Sequence, residues 1–259
     1  MSLMIIFSLP LAVYFLLTAR RSWMRLALLM IIAVDVAAVM ATFSRGGAVM
    51  LALCFLLMLW EYRHKISPRN LGLLLGAGGL IVALFLILTP ESYSQRIKSV
   101  RDADDFSLRR RASYLLVGRE LVAERPLLGH GPGTFSTLYA LTETGQAFTR
   151  NSESGRRDAH NTYLEVLTGS GVAGLALFLT IVFYSLKSFS RARRLFLVSG
   201  REQMALLTTA YRISFITLLA YLLIFSDVYH KYLLVSLAAS QIVLCLARKP
   251  VAEREPDYA

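Results

Sequence analysis

With 259 residues, 56% of them hydrophobic and only 17% charged, the chain is too apolar for a water-soluble globular domain. A net charge of +11 would suit a nucleic-acid partner. Half of the 28 basic residues, however, fall in four short segments beside apolar runs, where membrane orientation and anionic headgroups account for them, so no nucleic acid is expected.

The apolar residues gather into seven runs, each about the length that crosses a bilayer core: 1–18, 26–43, a short one at 48–60, 71–88, 163–186, 204–225 and 232–247. They lack the alternation of barrel strands, which predicts an all-α, polytopic bundle of about seven transmembrane helices. No basic segment precedes the first run, so it does not read as a cleavable signal peptide, and the chain is expected to begin inside a longer reading frame. One set of short loops holds Arg20, Arg21, Arg25, Arg63, Lys65, Arg69, Lys187, Arg191, Arg193, Arg194, Arg201, Arg248, Lys249 and Arg254, whereas the opposite short loops hold Arg45 and Lys231. Positive loops stay in the cytoplasm. The expected organisation is therefore helices 1–4 over residues 1–89, an external loop over 90–160, helices 5–7 over 161–247, and a cytoplasmic tail over 248–259. Cys54 and Cys245 lie within runs, so neither a disulfide framework nor a thiolate metal site is expected.

The external loop leaves the membrane at Thr89-Pro90-Glu91 and carries eleven basic and nine acidic residues, mixed as on a folded surface. Its run from Ser107 to Glu124 is amphipathic: Tyr114, Val117 and Leu121 share a helical face with Arg110. Pro126 ends this helix. A turn punctuated by Gly and Pro spans Pro126–Phe135, a polar segment runs from Thr142 to Asp158, and the chain returns to the membrane at His160-Asn161-Thr162-Tyr163-Leu164-Glu165.

Three features on the external side carry candidate chemistry. Ser44-Arg45-Gly46-Gly47 is a tight turn with a lone guanidinium, which fits either a phosphate or a plain interfacial side chain reaching for headgroups. Arg109, Arg110 and Arg111, with Arg119 and Arg125 further on, can bind a diphosphate or pair with Asp104, Asp105 and Glu120. His160 can exchange a proton at neutral pH and so take one from an attacking hydroxyl, with Asn161 or Glu165 orienting its ring; the plainer reading is a structural interfacial histidine. His64, His130 and His230 are too scattered for a metal site, and zinc-protease, P-loop and nucleophile-elbow patterns are absent. Asp35, inside the second run, is a costly charge that needs a partner, for which Arg212 is the candidate.

Taken in order, the S-R-G turn, Arg111 with Tyr114, the P-L-L-G-x-G-x-G-x-F segment from Pro126 to Phe135, and His160 to Glu165 followed by Gly169, Gly171 and Gly174 resemble the C-terminal part of the O-antigen ligase and O-antigen polymerase (Wzy-like) family of bacterial membrane glycosyltransferases. The resemblance implies a GT-C-like helical protein of the bacterial inner membrane, its long loop periplasmic and its C-terminus cytoplasmic. The implied reaction takes a glycan from undecaprenyl diphosphate and joins it to a hydroxyl of a glycan, lipid A-core or protein acceptor, without metal or cofactor. The matching positions are His160 as catalytic residue and Arg45, Arg111 and Arg110 on the diphosphate, with Asn161, Glu165 and Gly131 in support. Leu115 stands where many members have Trp, and the chain has fewer spans than full-length members. The competing, non-enzymatic reading is a transporter or anionic-lipid-binding protein, for which Asp35 with Arg212 is the support.

Overall fold

A backbone amide in hydrocarbon finds no water, so a spanning segment must close its hydrogen bonds on itself. The computed structural model describes residues 2–42, 44–63, 109–149, 157–225 and 231–249, and among these it contains helices and no strand. The helices are α1 (Ser2–Thr18), α2 (Ser22–Ala41), α3 (Arg45–Tyr62), α4 (109–124), α5 (Phe135–Leu141), α6 (Glu143–Thr149), α7 (Thr162–Val198), α8 (Glu202–Tyr221) and α9 (Lys231–Arg248). Of these, α2, α7, α8 and α9 are long and apolar enough to cross a membrane, and α1 and α3 are shorter apolar helices. The chain is thus an all-helical membrane bundle. The expected span at 71–88, like Asp104, Asp105, His64 and His230, lies outside the described residues. The polar segment 142–158 contains the helix α6.

Two compact units divide the chain. The first comprises Met1–Arg63, Ile181–Leu218 and Lys231–Ala259. Here α1 packs on α2 and α3, burying Ile6, Leu9, Val39 and Cys54. The hydroxyls of Thr208, Thr209 and Thr217 on α8 bond to carbonyls one turn back, at 2.7, 2.8 and 3.0 Å, which satisfies them inside an apolar setting. Glu61, in the last turn of α3, binds Arg212 Nη2 through Oε1 and stands 3.4 Å from Arg193 Nη2 through Oε2. Arg212 also donates to Ser190 Oγ at 3.3 Å. The partner of Arg212 is therefore Glu61 and not Asp35, because one carboxylate at a helix end gathers guanidinium groups from two other helices. The support for a transporter reading goes with it.

The second unit comprises His64–Thr180 and Leu219–His230. Its core is the face anticipated on α4: Tyr114, Val117 and Leu121 are buried against Phe135 and Tyr139 of α5 and against Ala159, with Leu138 and Leu164 alongside. Gly118 lets α4 close on α7, since a Cβ there would lie 2.7 Å from Leu164 Cδ1.

Within α7 the backbone breaks at Gly171, with φ 65° and ψ −169°, leaving helical stretches at 162–170 and 172–198. Each new end exposes unpaired backbone groups. The turn after Pro126 supplies both sets of partners. Val172 N–H donates to Pro126 O at 2.8 Å and Ala173 N–H to Leu127 O at 3.3 Å, while His130 N–H donates to Thr168 O at 2.9 Å and Gly131 N–H to Gly169 O at 2.8 Å. A 37-residue apolar helix is thereby interrupted about 13 Å from its start, with backbone groups on both sides of the break paired by the turn. Leu127 and Leu128 remain exposed beside this junction, while Phe135 beyond it is buried.

The junction leaves no room for a side chain. A Cβ on Gly171 would sit 2.2 Å from Leu127 O, on a backbone that L-residues avoid, whereas Gly133 has φ 75° but nothing within 4 Å of a Cβ. Gly133→Ala should cost the left-handed penalty alone, about 1–2 kcal/mol. Gly171→Ala should cost more than about 4 kcal/mol or prevent folding. Thermal unfolding of both variants in detergent checks this, and equal losses would mean that the junction does not hold the unit together.

Candidate active site

The junction fixes one end of the stretch 162–170, and a second set of bonds fixes the other. Thr162, fully buried, donates its N–H to Leu222 O and Phe225 O at 2.9 and 3.1 Å and its hydroxyl to Phe225 O at 2.8 Å. Tyr163 Oη donates to Leu219 O at 3.0 Å. Asn161 caps the helix, its Oδ1 accepting from Leu164 N–H at 3.1 Å. Glu165 continues the helix, its N–H bonded to Asn161 O at 3.0 Å.

His160 sits between buried Ala159 and this capped start, in the left-handed region at φ 47°. A non-glycine residue there carries strain of order 1–3 kcal/mol, which persists only where the surroundings over-determine the backbone. The bonds of Thr162 and the burial of Ala159 do so. The imidazole, half-buried, lies 5.7 Å from the Tyr114 ring and 6.5 Å from that of Phe225, centroid to centroid. Phe225 is itself stacked on Tyr221 at 4.2 Å.

Burial lowers the His160 pKa below its usual 6.5; the charge of Arg111 lowers it further, Asp158 opposes the shift, and Arg110 and Arg157 add to it. These charges act on the imidazole from α4 and from the segment leading into α7. Tyr114 is buried and its phenol is raised, chiefly by desolvation, against the opposing charge of Arg110. An aromatic-walled imidazole, held neutral beside a concentration of guanidinium groups, can accept a proton from a neutral nucleophile while a nearby anion is stabilised.

Of the expected residues, the structure brings together His160, Arg111 and Arg110. Gly131 serves the α7 junction through its N–H, which donates to Gly169 O, while its carbonyl accepts from Thr134 Oγ1 at 2.7 Å within the turn. Arg45 belongs to the first unit, where it is the first residue of α3; Ser44 caps that helix by accepting from Gly47 N–H at 3.1 Å. Gly46 and Gly47 thus form the first turn of α3. His130 is structural, its Nε2 2.8 Å from Leu121 O. The contributions of Arg157, Asp158 and Phe225 were not read from the sequence. The first two had a signal, lying three and two residues before His160, whereas Phe225 closed a distant apolar run and offered none.

A sequence model of the O-antigen ligase family matches residues 30–179, more than half of the chain, from α2 through the junction in α7. No curated protein matches the chain. With an all-helical membrane bundle and this match, the chain belongs to the O-antigen ligase family, membrane proteins of polysaccharide biosynthesis with glycosyltransferase or ligase activity.

Proposed function

We propose that the chain transfers a glycan from undecaprenyl diphosphate to an acceptor hydroxyl at the periplasmic face of the inner membrane, by a single displacement. The neutral His160 imidazole takes the acceptor proton as its oxygen attacks the anomeric carbon. The bond from that carbon to the diphosphate oxygen breaks, and the diphosphate leaves with the electron pair. Arg111 and Arg110 hold the diphosphate and stabilise the charge it gains, because fixed cations act most strongly on charge that develops in the transition state. Acceptors of this chemistry are a glycan, a lipid A-core or a protein hydroxyl.

The observation that carries the reading is the placement of His160 on a strained, clamped backbone, with burial and Arg111 both favouring its neutral form. A free histidine begins to lose its basic form near pH 6.5, and a depressed pKa keeps this base competent below that value. The unfolded chain, with the higher pKa, binds the proton first, so this group's stability contribution is present above pH 6.5 and is lost as pH falls toward the folded value. NMR titration of His160 in the purified chain should give a pKa below 6.5, moved up by Arg111→Gln and further down by Asp158→Asn. No response to either change would mean that these charges do not reach the ring.

General-base assistance typically contributes 10²- to 10⁴-fold in rate, so His160→Ala should lower glycan transfer by about that factor while the protein keeps its thermal stability. The assay uses a lipid-linked donor and the same purified preparation for both readings. Unchanged turnover by folded His160→Ala protein would remove the residue from the mechanism.

A further inference from the structure

Beside His160 lie two buried polar atoms with no partner: the Tyr114 hydroxyl and Arg157 Nε. Buried donors are nearly always satisfied, and each exception calls for a reason. The same small core shows what satisfaction looks like. Tyr139, as deeply buried, shares a hydrogen bond of 2.7 Å with Ser113 Oγ, while Phe135 fills its place with no hydroxyl at all. Phe at position 114 would pack the same ring, at centroid distances of 5.0 Å to Tyr139 and 6.4 Å to Phe135, so the Tyr114 hydroxyl is not needed for the core.

The two unpaired groups share their surroundings. The charge of Arg157 acts on both the Tyr114 hydroxyl and the His160 imidazole, and Arg110 and Asp158 act on the same pair. Asp158 is exposed and makes no ion pair with its neighbour Arg157. A guanidinium can only donate and a phenol donates readily, so what completes this pair is an acceptor-rich group, and the surrounding arginines select an anionic one.

We infer that the Tyr114 hydroxyl and the Arg157 guanidinium form an oxyanion subsite beside His160 that receives a phosphate oxygen of the leaving diphosphate. This rests on the proposed reaction and adds two residues to it. Tyr114 marks the phosphate position from the protein interior, and Arg157 couples the departing charge to the segment that holds the base. In the free protein the two donors stand desolvated, so a phosphate oxygen gains their hydrogen bonds without first displacing a protein partner.

The test is binding of inorganic pyrophosphate to the purified full chain, read as ligand-dependent thermal stabilisation. Tyr114→Phe removes a buried, unpaired hydroxyl, so without ligand the variant should unfold at the wild-type temperature or above it. Its Kd for pyrophosphate should nevertheless rise about tenfold, as expected on losing a hydrogen bond to a charged group. Arg157→Gln should weaken binding at least as much, and Arg157→Lys should restore only part of it. Wild-type affinity in Tyr114→Phe or Arg157→Gln, destabilised Tyr114→Phe, or no stabilisation of the wild type by pyrophosphate would overturn the subsite. His160→Ala separates the two ideas. Pyrophosphate binding that depends on Tyr114 and Arg157, together with normal transfer by His160→Ala, would keep the subsite and discard the general base. The opposite pattern would do the reverse.

Discussion

The geometry of the second unit depends on the exchange of four backbone hydrogen bonds between the turn at 126–131 and the break at Gly171. Breaking a helix in an apolar setting leaves donors on one side and acceptors on the other, and each unpaired group costs several kcal/mol in hydrocarbon. The turn meets both needs at once, with carbonyls of Pro126 and Leu127 for one end and amides of His130 and Gly131 for the other. Its glycines follow from this closeness. A Cβ on Gly129 would stand 2.6 Å from Gly169 O and Thr168 O, so the chains meet backbone to backbone.

From that junction the rest of the unit follows. The stretch 162–170 is short and is pinned at both ends, by the turn at Thr168 and Gly169 and by Leu222 and Phe225 at Thr162. α4 leads directly into the turn through Arg125 and is also packed against α7 at Gly118 and Leu164. The guanidinium groups at the start of α4 and the imidazole at the start of α7 are consequently carried by elements tied together twice, once by backbone bonds and once by the aromatic core. The left-handed backbone of His160 is sustained by this double attachment, which is the condition under which local strain persists.

Much of this was legible in the sequence, and for physical reasons. Run length and the absence of alternation identify an all-helical membrane protein, because hydrocarbon admits little else. The spacing of Tyr114, Val117 and Leu121 identified the buried face of α4, since a surface helix shows its core side at that period. The ordered motifs pointed to the family that residues 30–179 match. What escaped was set by contacts between distant segments. Gly169, Gly171 and Gly174 could be seen, but a break inside an apolar run is tolerable only if a segment some forty residues earlier caps it. Arg212 needed a carboxylate, and composition cannot choose between Asp35 and Glu61; the fold puts Glu61 there. Phe225 lies beside His160 only because the chain after α8 returns to the start of α7, where Thr162 bonds to Leu222 O and Phe225 O.

In the proposed reaction His160 activates the acceptor while arginines hold the departing diphosphate, which predicts one displacement at the anomeric carbon, with the acceptor oxygen entering opposite the leaving phosphate. The measurement that bears on this most directly is the anomeric configuration of the newly made linkage, read by NMR on product formed from a lipid-linked donor of known configuration. Inversion is the predicted result. Retention would require a covalent glycosyl intermediate and two displacements, and would contradict a mechanism in which His160 activates the acceptor for direct attack.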